Sequence, residues 1–79
     1  MFNYTIMFNS DPNYYEDFHG SDHEFRSIND ALKDALSLIN EDSLKHCARI
    51  FVYHDYVDLI FSLYVTSYSL PFLRKKFIL

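Results

Sequence analysis

The chain has 79 residues, 49% of them hydrophobic, with eight phenylalanines, seven tyrosines, one glycine, one cysteine and a formal net charge of −4. A chain this short buries only about 60% of its unfolded surface, so residues 1–79 read as one domain with no material for a second core. The lone Cys47 excludes an internal disulfide, and neither a secretory leader nor a run long enough to span a bilayer stands in the sequence, which makes a soluble, cytoplasmic protein the expectation.

Phe2, Tyr4, Ile6 and Phe8 alternate with Asn3, Thr5 and Asn9, the period-2 pattern of a strand with one buried and one wet face. Only Met7 breaks its polar side. The strand is expected over residues 2–9, ended by the turn-forming run Asn9-Ser10-Asp11-Pro12-Asn13. Residues 14–26 show no clear period and read as a long loop, with room for a short strand within it at His23 to Arg26; such loops tend to be functional or mobile. Ser27 then offers a capping oxygen and Asp30 a first-turn acid ahead of Ile28, Leu32, Ala35, Leu36 and Ile39, which recur at helical spacing until Asn40-Glu41-Asp42-Ser43.

The segment from Ala48 to Val65 reads as a hairpin that is apolar on both sides. Ala48, Ile50, Val52, Leu59, Phe61 and Leu63 form one face, and Cys47, Phe51, Tyr53, Ile60 and Tyr64 the reverse. An even-numbered loop keeps the first set together, pairing Val52 with Leu59 and Ile50 with Phe61. With no Asn-Gly or Asp-Gly, a four-residue loop at His54 to Val57 is favoured over a two-residue turn at Asp55-Tyr56. The single glycine, Gly20, likewise predicts few mirror-image turns. The carboxy-terminal stretch from Ser69 begins with a cap and an early proline and suits a short helix, with Leu70, Leu73 and Phe77 on its apolar side. Its expected job is to roof the second face of the hairpin. The fold class is α+β: a small three-stranded sheet, with a fourth strand as an option, in chain order β-α-β-β, one main helix on one face, and a short carboxy-terminal helix or tail.

Few residues suggest chemistry. His19 and His23 stand four apart beside Asp22 and Glu24, a spacing that could hold a divalent ion on a helical turn, but Gly20 disfavours that turn and a polar loop is preferred. His46 and Cys47 point apart on a strand, and His54-Asp55 lacks a nearby nucleophile. No phosphate loop, zinc-spaced cysteine pair or nucleophile elbow is present. The expectation is therefore a non-enzymatic protein with no cofactor and no metal.

Charge is divided along the chain. Residues 1–43 hold nine acids against Arg26 and Lys33, a balance of −7, and residues 44–79 hold two acids against five bases, a balance of +3. That split argues against direct nucleic-acid binding by the first half and favours a protein partner with a basic surface. Asp11, Tyr14, Tyr15, Glu16, Asp17, Phe18, Asp22 and Glu24 form the most interaction-like stretch, aromatic anchors interleaved with steering charge, with packing of Tyr14, Tyr15 and Phe18 onto the uncovered sheet face as the other reading. Phe51, Tyr53, Ile60 and Tyr64 form a second candidate face, for a dimer or a partner. Three readings follow, in order of preference. The first is a protein-binding module, similar in size, charge and layout to small acidic phage-encoded inhibitors, anti-CRISPR proteins among them, that occlude a basic nucleic-acid groove. The second is a homodimeric structural or regulatory subunit, with a small metal-binding protein third.

Overall fold

A computed structural model describes residues 1–11, 15–40 and 47–77, with the side chains of residues 9–11 and 15–17 outside the description. Six elements follow one another: β1 (Phe2–Asp11), β2 (Tyr15–Gly20), α1 (Ile28–Leu38), β3 (Cys47–His54), β4 (Asp58–Val65) and α2 (Leu70–Phe77). The architecture is α+β, but the chain order is β-β-α-β-β-α rather than β-α-β-β. The four strands form one sheet in the order β2-β1-β3-β4, with every neighbouring pair antiparallel. β2 and β3 therefore run parallel to each other with β1 between them, joined through α1.

α1 forms where the periodicity places it. The Ser27 side chain accepts from the Asp30 amide at 3.1 Å, satisfying one of the orphan donors of the first turn, and Asp30 sits against the positive end of the helix. The spacing of Ala31, Leu32, Ala35, Leu36 and Ile39 turns one buried stripe toward the sheet, where it meets Tyr4, Ile6, Ala48, Ile50, Val52 and Val65. Leu70 completes this core, with Leu73 and Phe77 packed against it. α2 also lies against α1, and the Arg74 guanidinium donates to the carbonyl of Ile39 at the end of that helix.

The carboxy-terminal helix is thus not a roof over the second face of the hairpin. It joins α1 on the same side, because its apolar edge begins at Leu70, only five residues after Val65 has entered the core. Mutual bonds between Thr66 and Ser69, with the Thr66 amide donating to Ser69 Oγ at 2.9 Å and the Ser69 amide to Thr66 Oγ1 at 3.1 Å, hold the short connection that makes this return.

Further expectations are corrected. Residues 15–20 are strand, not loop: β2 pairs with β1 from Thr5↔Gly20 to Asp11↔Tyr15, and β1 runs on to Asp11 past a register shift between Asn9 and Asp11. Edge strands need no continuous buried face, so backbone pairing to β1 organises a stretch whose apolar pattern is weak. Within residues 23–26, Phe25 and Phe2 exchange two backbone hydrogen bonds of 2.7 Å as an isolated bridge.

The hairpin register also differs. Ile50 faces Leu63 and Val52 faces Phe61, after which the register shifts so that Tyr53 faces Leu59 and Ile60 is the extra residue of a bulge. Leu59 thereby moves to the face of Tyr53. The turn is of the tight mirror-image kind after all, with Asp55 at φ 51° and Tyr56 at φ 68°, closed by the Val57 amide donating to the His54 carbonyl at 3.2 Å. Left-handed backbone costs a bulky residue about 1–2 kcal/mol. Two contacts from the start of the chain hold it: the Asp55 amide donates to the carbonyl of Met1, just ahead of β1, at 3.0 Å, and the Tyr56 amide to Asn3 Oδ1 on β1 at 3.2 Å.

Tyr4 ties the two layers by a part-buried polar bond at the margin of the core. Its hydroxyl donates to Asp34 Oδ2 at 2.7 Å, and burial, then that bond and the charges of Asp34 and Asp22, hold its pKa well above the ordinary value of 10. The fold keeps the neutral phenol, so this contribution is complete below the unfolded value and is lost as pH rises past it, by up to about 1.4 kcal/mol per pH unit. Tyr4→Phe is expected to be about 1 kcal/mol less stable at neutral pH and to lose less stability in alkali than the parent. Urea melts at neutral pH and near pH 11 test both signs.

Candidate functional site

With both helices on one side, the reverse of the sheet carries no helix among the described residues. Strand alternation and register place its side chains in rows. Phe18, Met7, Arg49 and Tyr64 lie across β2, β1, β3 and β4 in one row, Gly20, Thr5, Phe51 and Ser62 in the next, and Asn3, Tyr53 and Leu59 in a third. Phe18 is 61% exposed and Tyr64 56%, while Met7, Phe51 and Tyr53 are half-buried by their neighbours.

Arg49 sits at the centre. Its guanidinium carbon lies 4.1 Å from the centroid of the Tyr64 ring and 5.5 Å from that of Phe51, so the cation rests against aromatic faces. Its Nε is buried without a hydrogen-bond partner. A flat field of rings around one ring-held cation is suited to burying apolar surface. Among the described residues it holds no paired nucleophile and base: Cys47 is half-buried opposite Asn9 at one end, and His54 lies on the helix-bearing side, leaning on Phe2 with ring centroids 5.3 Å apart. Nδ1 of His54 and Oδ2 of Asp55 are 3.5 Å apart on the exposed turn.

Of the predicted dimer or partner face, the structure brings Phe51, Tyr53 and Tyr64 together and leaves Ile60 in the bulge. Of the acidic-aromatic stretch, Tyr14 lies outside the described residues, as do the side chains of Asp11, Tyr15, Glu16 and Asp17. Phe18 joins the aromatic face. Asp22 and Glu24 are exposed on the segment after β2, which Ser21 and Phe25 fasten along β1. Glu24 stands beside Tyr56, whose phenol is raised above its ordinary pKa by partial desolvation first and by that carboxylate second.

His19 ends up on β2 rather than on a helical turn, and His23 packs against Phe25 with ring centroids 4.6 Å apart. Among the described residues no group of three or more His, Cys, Asp or Glu is placed to hold a metal ion, and no helix is long and apolar enough to cross a membrane.

The alternation left two residues of this face unassigned. Met7, the one apolar residue on the polar side of β1, is a legible sign of it; Phe18 reads in the sequence as an aromatic anchor, but its non-periodic strand gives no row or facing to place it in. Comparison of the chain with protein-family models, curated proteins and solved structures gives no match.

Proposed function

We propose that this protein is a non-enzymatic binding module that docks its helix-free sheet face onto another protein, with its acids meeting Lys and Arg of a basic surface that otherwise holds nucleic acid. The observation that carries the reading is the placement of both helices on one side, which leaves Phe18, Phe51, Tyr53 and Tyr64 together on the other. Rings of this kind are the residues that anchor interfaces. Charge specifies the partner: residues 1–43 carry −7, and the cation of the face, Arg49, is turned onto its own aromatic neighbours. The partner thus offers an apolar patch flanked by cations, and binding blocks that surface as an inhibitor does.

The test is affinity capture from bacterial lysate with the parent, with Phe18→Ser/Tyr64→Ser, and with Asp11, Glu16, Asp17, Asp22 and Glu24 neutralised together. Expected results are a captured protein that is released by added nucleic acid and by salt, and that is lost in both variants while their thermal melts stay at the parental value. Capture that survives both sets of substitutions, or that ignores competing nucleic acid, overturns the reading.

A further inference from the structure

Arg49 stands in the middle of the helix-free face with its charge unanswered. Its row holds Phe18, Met7 and Tyr64, and the next row holds Phe51. The Tyr64 ring fixes the guanidinium against itself by a cation–π contact, but no counter-ion does the same: among the described residues the ion pairs join only Met1 and His54 to Asp55. Arg49 Nε is also the only buried side-chain polar atom without a partner among the described residues. The two terminal nitrogens are not sealed in this way, so they carry their N–H donors out between the rings.

Docking makes this arrangement costly unless something answers it. A partner that offers Lys and Arg to the acids of this chain would press on a like charge at the centre of the face and strip the water from it, and a desolvated guanidinium without a counter-charge is strongly unfavourable. We infer that Arg49 is a carboxylate receptor, which takes an Asp or Glu side chain set within the apolar patch of the protein partner. The inference rests on the docking reading above and names the group the partner brings to this point. A guanidinium is always charged and presents parallel donors that match a carboxylate, and rings that exclude water strengthen such a bond. Nucleic-acid phosphate is the other oxyanion that would fit the fork. The charge pattern favours the protein carboxylate: none of the four strands carries another Lys or Arg, residues 1–43 hold −7, and a nucleic-acid backbone needs a track of cations to follow.

Benzoate is the probe, because it carries a carboxylate on a ring able to lie against Tyr64 or Phe18. In a titration of the intact protein at constant ionic strength, the Arg49 Nε–H resonance and the ring protons of Tyr64 are expected to shift saturably, with a dissociation constant on the order of 1–10 mM. The Nε–H signals of Arg26 and Arg74 are the internal controls and should stay in place. Arg49→Gln should abolish the Tyr64 shift at an unchanged thermal midpoint and weaken capture of the partner by about tenfold or more. Inorganic phosphate and single-stranded oligothymidine should move Arg49 no more than chloride does. A benzoate shift shared by all three arginines, oligothymidine that engages Arg49 more tightly than benzoate, or capture that is unchanged in Arg49→Gln while Phe18→Ser/Tyr64→Ser abolishes it, overturns the inference; the last of these leaves the docking reading standing. Saturable benzoate binding in a protein whose capture ignores Phe18→Ser/Tyr64→Ser fails the docking reading alone and keeps Arg49 as a carboxylate site.

Discussion

Ile50→Ala is expected to lower the unfolding free energy by about 3–4 kcal/mol, and Phe51→Ala, one residue further on, by less than about 1. Ile50 is fully buried between β1 and α1, and truncating it leaves a cavity that its neighbours on β3 and β1, Val52 and Ile6, are too constrained to fill. Phe51 points to the helix-free side, where losing the ring removes a half-exposed contact with Arg49 and opens no cavity. A domain of this length has roughly 4–12 kcal/mol in total, so the first substitution takes a large part of it. Chemical denaturation of both variants checks the pair. Equal losses would mean that the open face is covered after all.

Leu70→Ala is expected to cost about 2–4 kcal/mol, more than any substitution on β4 outside Val65. Leu70 is 1% exposed at the first turn of α2 and is the residue through which that helix enters the common core. Its loss also weakens the docking that lets Arg74 reach the Ile39 carbonyl. Thermal melts measure the cost, and protease sensitivity within residues 70–77 shows whether α2 detaches first. A loss below about 1 kcal/mol would place α2 outside the cooperative unit.

The residues explain which parts of this structure could be read in advance. α1 was legible because a cap, a first-turn acid and a 3.6-residue stripe agree, from Ser27 to Ile39. β1 and β3 were legible because alternation reports a buried face wherever one exists, as at Tyr4 and Ile6 or Ala48, Ile50 and Val52. β2 was not, since Tyr-Glu-Asp-Phe-His-Gly earns its strand from hydrogen bonds to β1 and backbone pairing leaves no mark on side-chain periodicity. The hairpin register failed for a related reason: the bulge at Ile60 and the positive φ of Tyr56 are backbone events at residues with no special preference for them, and Asp55 alone tolerates the left-handed region. The surplus of apolar strand surface was readable as a surplus. Its aromatic side was identified through Phe51, Tyr53 and Tyr64, whereas the contribution of Phe18 required a strand that the pattern does not reveal.

The central partnership of the sheet joins the two ends of a long detour. β1 pairs with β3 from Phe2↔His54 to Asn9↔Cys47, so its hydrogen bonds wait until β2, α1 and β3 have all been synthesised. Closing so large a loop is costly in chain entropy before any of the core rewards it. In a growing polypeptide, the β1–β2 hairpin and α1 are the structures available early, and neither can bury the apolar side of β1 alone. Folding should therefore be late and abrupt, triggered when β3 slots in beside β1, with the nascent first half guarded against misassembly mainly by its own negative charge.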